Sequence, residues 1–126
     1  MKNRAALSLA LLASAACSLS APAFAARPLT ADERMALRCG AAFAVVATGQ
    51  ARGDAAMKQY PPMAQRGREY FVRLAAQLMD DAGMDEAGVR AAARAEAQVL
   101  ARQRGVEGMM PFCLKMLDAQ PGFAPR

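Results

Sequence analysis

Two cysteines, Cys39 and Cys113, have the clearest chemical potential in this sequence. They do not form a CxxC motif, which is typical of thioredoxin-like redox centres, and no CxxCH haem-attachment motif is present. Two thiols alone also leave a zinc ion short of ligands. We therefore predict one structural disulfide between Cys39 and Cys113, with a redox switch or a pair of free thiols as the alternatives.

The sequence contains no histidine. Its absence excludes Ser-His-Asp and Cys-His catalysis, the usual general base near neutral pH, and most transition-metal sites. The acidic pairs Asp80-Asp81 and Asp85-Glu86 fall at the expected ends of helices, which gives them a structural explanation. We therefore predict a non-enzymatic protein with no cofactor.

Methionine is the remaining potential metal ligand, and its densest group is Met109, Met110 and Met116. Thioether sulfur binds Cu(I). Most of the methionines, however, fall on apolar helix faces, where this flexible side chain fills gaps in a core. Core packing is the favoured interpretation, and a small-ligand or Cu(I)-binding helical bundle is the alternative function.

Glu96 places a carboxylate in the middle of an otherwise apolar helix face. A buried carboxylate requires a partner. We expect a buried polar network in which Glu96 contacts Arg38 of the first helix and Gln103, with Arg73 or Tyr70 as other partners. Ligand recognition by Glu96 and partial exposure at the edge of the bundle are the alternatives.

The second predicted helix contains the densest mixture of charged and aromatic residues. Its arginines could meet an anion or an acidic partner, and two apolar residues seven positions apart lie off its main apolar stripe. A candidate partner surface therefore consists of Arg66, Arg68, Tyr70, Val72 and Met79. Isolated exposed apolar residues are also normal on protein surfaces, so Val72 and Met79 have an ordinary explanation as well.

The N-terminal segment has the pattern of an export signal. A basic start precedes an apolar run from Ala5 to Ala16, and the small-residue pattern Ala23-Phe24-Ala25 follows. We predict cleavage after Ala25 and a periplasmic or secreted location, where disulfides persist. Acylation of Cys17 in a lipoprotein is the alternative.

Charge and hydropathy limit the partners of the remaining chain. Loss of Lys2 and Arg4 with the signal would lower the net charge from +5 to +3. This mild excess suits another envelope protein or an anionic envelope surface, whereas no nucleic-acid recognition motif is present. The longest later apolar run, Cys39 to Gly49, is well short of the about 20 residues that span a bilayer.

Residues 26–126 are predicted to form a single helical domain. Thr30 and Glu33 form a capping box, Gly83 suits a helix end, and Asp85 suits the next helix start. Residues 51–60 are expected to be an irregular connection that can include a helical turn, and the residues after Gly122 a tail. The predicted helices are 31–50, 62–82, 86–104 and 108–119. The fold class is therefore all-α, a small four-helix bundle with one disulfide between its first and last helices.

Three short segments carry a resemblance to a group of known proteins. Arg38-Cys39-Gly40, Gly67-Arg68-Glu69-Tyr70 and Pro111-Phe112-Cys113 resemble segments of small two-cysteine helical exported proteins of bacteria. The resemblance covers most of the predicted mature domain and implies no activity. The sequence therefore predicts a non-enzymatic envelope protein, a protein-binding or structural module, and leaves its oligomeric state open.

Overall fold

The computed structural model describes residues 25–103 and 105–123. Apart from Ala25, the predicted export signal lies outside these residues, and so does Cys17. The described residues form five helices and no strand, which confirms the all-α class. The described residues contain one helix more than the four predicted, because a single helical turn forms within the expected connection at residues 51–60. The helices are α1 (Ala31–Ala51), α2 (Ala55–Lys58), α3 (Ala64–Ala82), α4 (Glu86–Arg102) and α5 (Met110–Asp118).

The capping box fixes the start of α1. The backbone N–H of Glu33 donates to the Thr30 hydroxyl, and the Glu33 carboxylate accepts from the Thr30 backbone N–H. The Arg27 guanidinium donates to both carboxylate oxygens of Glu33, at 2.9 and 2.6 Å. These bonds from Arg27 and Thr30 lower the pKa of Glu33 to about 2. The start of α1 therefore binds the segment that precedes it.

Gln50 organises the connection between α1 and α3. Its side-chain N–H₂ group lies within hydrogen-bond distance of the carbonyl oxygens of Met57, Tyr60 and Pro61, at 2.9–3.1 Å. Its side-chain oxygen accepts the backbone N–H of Met63 at 3.0 Å. These contacts hold the connection out of the helix, so α3 begins at Ala64 rather than at the predicted residue 62.

Helix α1 is the centre of the fold, and it packs against each of the other four helices. Its residues Leu37, Phe43 and Val46 are fully buried in one continuous core with residues of α3, α4 and α5. The predicted disulfide is confirmed, since Cys39 of α1 is bonded to Cys113 of α5 across a Cα–Cα distance of 5.3 Å. None of the helices in the described ranges is both long and apolar enough to cross a bilayer.

The segment after α5 packs on the bundle, so the prediction of a tail after Gly122 is wrong at Phe123. Phe123 is buried, and its ring meets the Tyr70 ring edge-on at 6.5 Å between centroids. Arg66 donates to the Phe123 carbonyl, and Arg73 lies 4.6 Å over the Phe123 ring. A single aromatic residue therefore anchors this segment to α3.

Gly67 allows α1 and α3 to approach closely. A Cβ atom added at Gly67 would lie 3.0 Å from Phe43 Cβ and 3.7 Å from the Phe43 backbone carbon. The helix axes would have to separate to accommodate it, since neither of these atoms belongs to a flexible side-chain end. The glycine therefore sets the spacing of α1 and α3.

Gly67→Ala is expected to lower the free energy of unfolding by about 1 kcal/mol. Overpacking costs about 1–3 kcal/mol, and alanine recovers only about 1 kcal/mol of helix propensity. Urea unfolding measures the change, and Gly108→Ala, in the turn before α5, is the control for an added methyl group because a Cβ there meets nothing within 4 Å. An equal effect of both substitutions would contradict the close approach at Gly67.

Candidate functional site

The structure brings together the three residues of the predicted polar network. Arg38 of α1 donates to the same Glu96 oxygen from Nε at 2.9 Å and from Nη2 at 2.7 Å. Its Nη1 donates to the Gln103 side-chain oxygen at 3.4 Å. Glu96 is 7 % exposed, and Gln103 is the residue directly after α4. The network therefore joins α1 to the C-terminal half of α4.

The predicted partner surface on α3 is not one surface. Tyr70 is only 2 % exposed, and its hydroxyl donates to the Ala36 carbonyl of α1 at 3.0 Å, so its assignment to the surface is wrong. Arg66 is half-buried and donates to Asp118 and to the Phe123 carbonyl, both at 2.6 Å. Both residues point into the protein because α1 and the C-terminal segment cover their side of α3. Of the five residues predicted to form this surface, only Arg68, Val72 and Met79 are exposed.

Tyr70 makes stability sensitive to alkaline pH. Burial raises the pKa of the Tyr70 hydroxyl above its ordinary value of 10.0. The neutral phenol is therefore favoured in the folded state. Its contribution to the free energy of unfolding is complete below pH 10 and falls as the pH rises further. We expect the free energy of unfolding to fall by up to about 1.4 kcal/mol per pH unit above pH 10. Urea unfolding from pH 8 to 11.5 measures this slope, and a Tyr70→Phe variant with the same slope would contradict it.

A long groove opens between α3 and α4 and has a volume of about 1090 Å³. It exists because α3 and α4 both pack on α1 but contact each other far less. The face of α1 between them remains uncovered, so that Val45 is 44 % exposed, and Val72 at the α3 edge is 61 % exposed. The floor includes Ala41, Ala44, Val45 and Thr48; the walls include Ala64, Arg68, Phe71 and Val72 of α3 and Arg90, Ala93, Arg94 and Ala97 of α4.

Four arginines line this groove: Arg52, Arg68, Arg90 and Arg94. Arg90 pairs with Glu86 one turn earlier on α4, at the exposed surface. Among the described residues, the side chains of Arg52 and Arg68 make no hydrogen bond or salt bridge, and the Arg94 side chain donates one hydrogen bond, to the Arg90 carbonyl. The one acidic residue in the lining, Asp54, caps α2 by accepting the backbone N–H of Ala56. The groove is therefore apolar along its floor and positively charged along its edges.

Sequence reasoning found only part of the groove. The candidate partner surface included Arg68 and Val72, whereas Val45 and the arginines 52, 90 and 94 were missed as site residues. A signal was present, because α1 is apolar nearly all round from Cys39 to Ala47 and such a helix requires neighbours on every side. Met79 is exposed on α3 outside the groove lining.

The two paired cysteines and the methionines of the densest group lie in or against the core of the described domain. Cys39 and Cys113 are fully buried in their disulfide, and Met110 is fully buried in the core. Met109 and Met116 are partly buried and pack against the same core. Within residues 25–103 and 105–123, no group of three His, Cys, Asp or Glu side chains is arranged to hold a metal ion. The groove is therefore the strongest candidate site.

Comparison with known proteins gives no indication of what this groove binds. The chain matches no protein-family model, and neither the curated proteins nor the solved structures include a significant match to it.

Proposed function

We propose that this chain is a non-enzymatic binding protein that holds a partner protein in the groove between α1, α3 and α4. One observation carries the proposal: the uncovered apolar face of α1 is bordered on both sides by arginine. Contiguous exposed apolar surface with a polar rim is typical of protein-interaction sites. Arginine is also enriched at interfaces, where it contributes strongly to affinity.

The disulfide and the export signal support a location outside the cytoplasm. A buried disulfide persists in oxidising compartments, and the N-terminal pattern of residues 1–25 is that of a cleaved signal. We propose that the mature chain acts in the periplasm or is secreted. In this proposal α1, α3, α4 and α5 are the four helices of one bundle, and α2 is a single turn in a connection.

Site-specific photo-crosslinking in the native host tests the groove. A photoreactive amino acid at Val72, on the groove edge, should form a discrete protein adduct, whereas one at Gln77, which is exposed on α3 outside the groove, should not. Ala44→Trp should abolish the Val72 adduct because it fills the groove floor. Adducts to lipid alone, or an identical pattern from Val72 and Gln77, would contradict a protein partner in the groove.

A small ligand is the second candidate. The groove volume of about 1090 Å³ lies near the upper end for small-molecule sites. Native mass spectrometry of the purified protein would then show a retained mass that disappears in Ala44→Trp. Cu(I) binding receives no support from the groove, since its thioethers, Met57 and Met63, are joined by no other sulfur ligand in the described lining.

A further inference from the structure

We propose that the occupant of the groove is an acidic amphipathic helix of about 12 residues from another protein. This inference rests on the proposed function and specifies the partner by its chemistry. It follows from three features of the groove: its length and floor, the positions of its arginines, and its openness along one side. The length and floor fit a helix, the arginines disfavour a neutral helix and a second copy of this chain, and the openness disfavours an anionic amphiphile.

The shape of the groove suits a helix. The lining of α1 extends from Gly40 to Arg52, which corresponds to about 18 Å of helix at 1.5 Å per residue. The floor residues Ala41, Ala44, Val45 and Thr48 all have short side chains, and short side chains let a second helix approach to the usual distance of about 8–10 Å between axes. Because α3 and α4 flank α1, a helix in the groove would contact helices on three sides. About 12 residues would fill the groove from end to end.

The arginines require acidic residues on both edges of that helix. Arg68 lies on the α3 side and Arg94 on the α4 side, neither with a carboxylate partner among the described residues, and Arg52 lies at the far end. Arg90, one turn before Arg94, is already paired with Glu86. Carboxylates bind arginine in strong charge-assisted hydrogen bonds. Glutamates on both sides of an apolar stripe would therefore meet arginines from both walls. The charge pattern predicts an acidic partner helix rather than a neutral one.

The chain itself does not supply this occupant. Residues 1–31 contain no aspartate or glutamate, so the N-terminal segment cannot complement the arginines. A second copy docked groove to groove would bring the same arginine-lined edges together, and juxtaposed like charges oppose association. These charges therefore favour an acidic helix from a different protein.

An anionic amphiphile fits the groove less well than a helix. Small-molecule sites bury most of the ligand surface, about 70–90 %. This groove is open to solvent, and Val45 on its floor is 44 % exposed, so an acyl chain would remain largely in contact with water. A helix, in contrast, needs only one apolar face covered. The openness of the groove therefore favours the helix.

Peptide binding tests the inference directly. The probe is a fluorescein-labelled peptide of 14 residues with leucine and alanine on one helical face and glutamate on both flanks; the matched peptide carries lysine in place of glutamate. Fluorescence anisotropy with the full-length, signal-processed protein measures the dissociation constants. We expect binding of the acidic peptide, an increase in its helicity by circular dichroism, and no binding of the lysine peptide.

Charge reversal on the two walls gives the decisive comparison. Arg68→Glu with Arg94→Glu should weaken acidic-peptide binding at least about tenfold, which corresponds to about 1.4 kcal/mol. The control variant reverses Arg102 and Lys115, which are exposed and lie outside the groove lining, and should change binding less than about twofold. Arg68→Gln with Arg94→Gln should show an intermediate loss, and thermal melts of all variants establish that they are folded.

Three results would overturn the inference, and each is distinct from failure of the proposed function. Equal loss in the groove and control variants, or equal binding of both peptides, would show that no specific acidic helix is recognised. Binding of dodecyl phosphate that depends on Arg68 and Arg94, without binding of the acidic peptide, would identify an anionic amphiphile as the occupant. A protein adduct from Val72 in any of these cases would leave the proposed function standing with a partner of different chemistry.

Discussion

Replacement of both Cys39 and Cys113 by alanine is expected to lower the free energy of unfolding by about 4 kcal/mol. The bond closes a loop across a sequence separation of 74 residues, and its loss restores the conformational entropy of that loop to the unfolded chain. Domains of this size are commonly stable by only about 5–15 kcal/mol. The melting temperature should therefore fall by about 4–8 °C for each kcal/mol lost.

Urea unfolding with and without a reductant measures this effect and supplies its control. Reduced wild-type protein should resemble the double alanine variant, and the variant should be insensitive to the reductant. Both sulfur atoms are buried, so reduction should need partial unfolding and should be slow in the absence of denaturant. A variant as stable as the oxidised protein would show that the bond does not constrain the unfolded chain.

Glu96→Ala is expected to lower the free energy of unfolding by about 3 kcal/mol. The substitution leaves the Arg38 guanidinium without its carboxylate, and breaking a buried ion pair costs about 3–5 kcal/mol. The expected value lies at the lower end because the Arg38 side chain is 19 % exposed and can regain some contact with water. Thermal and urea unfolding measure the loss.

A paired apolar replacement is the control for Glu96→Ala. Arg38→Met together with Glu96→Leu removes both charges, and such replacements are often neutral or stabilising. Peptide binding in the groove should be retained by this double variant, because neither residue lines the groove. If Glu96→Ala melts like the wild type, then the pair does not hold α1 against α4.

Local signals in the sequence predicted most helix boundaries to within a few residues. Thr30 and Asp85 cap α1 and α4 through their own side chains, and Gly83 ends α3 with a positive φ of 66°. Each of these signals depends on residues within one helical turn, which is why they could be read without the fold. The Glu96 network was also accessible from the sequence, since a single carboxylate on an apolar face demands a partner.

Contacts between residues that are far apart in the sequence could not be predicted from these local signals. Gln50 binds backbone groups up to 13 residues away, and nothing in its local pattern distinguishes it from a surface glutamine. Phe123 follows a Pro-Gly pair typical of a chain end, yet the Tyr70 ring gives it a buried site. The groove depends on how far α3 and α4 diverge over α1, and helix periodicity carries no information about that distance.

The pairing of Cys39 with Cys113 also determines how the chain can oxidise. With the export signal removed, the mature chain contains only these two cysteines, so a single intramolecular disulfide is available and no reshuffling step is needed. Because the chain is synthesised from the N-terminus, Cys39 cannot form this disulfide until nearly the whole domain has been synthesised. Retention of Cys17 would give both cysteines a competing partner, and correct oxidation would then depend on an isomerase. If the signal is cleaved after Ala25, oxidative folding of this protein therefore has a single possible outcome.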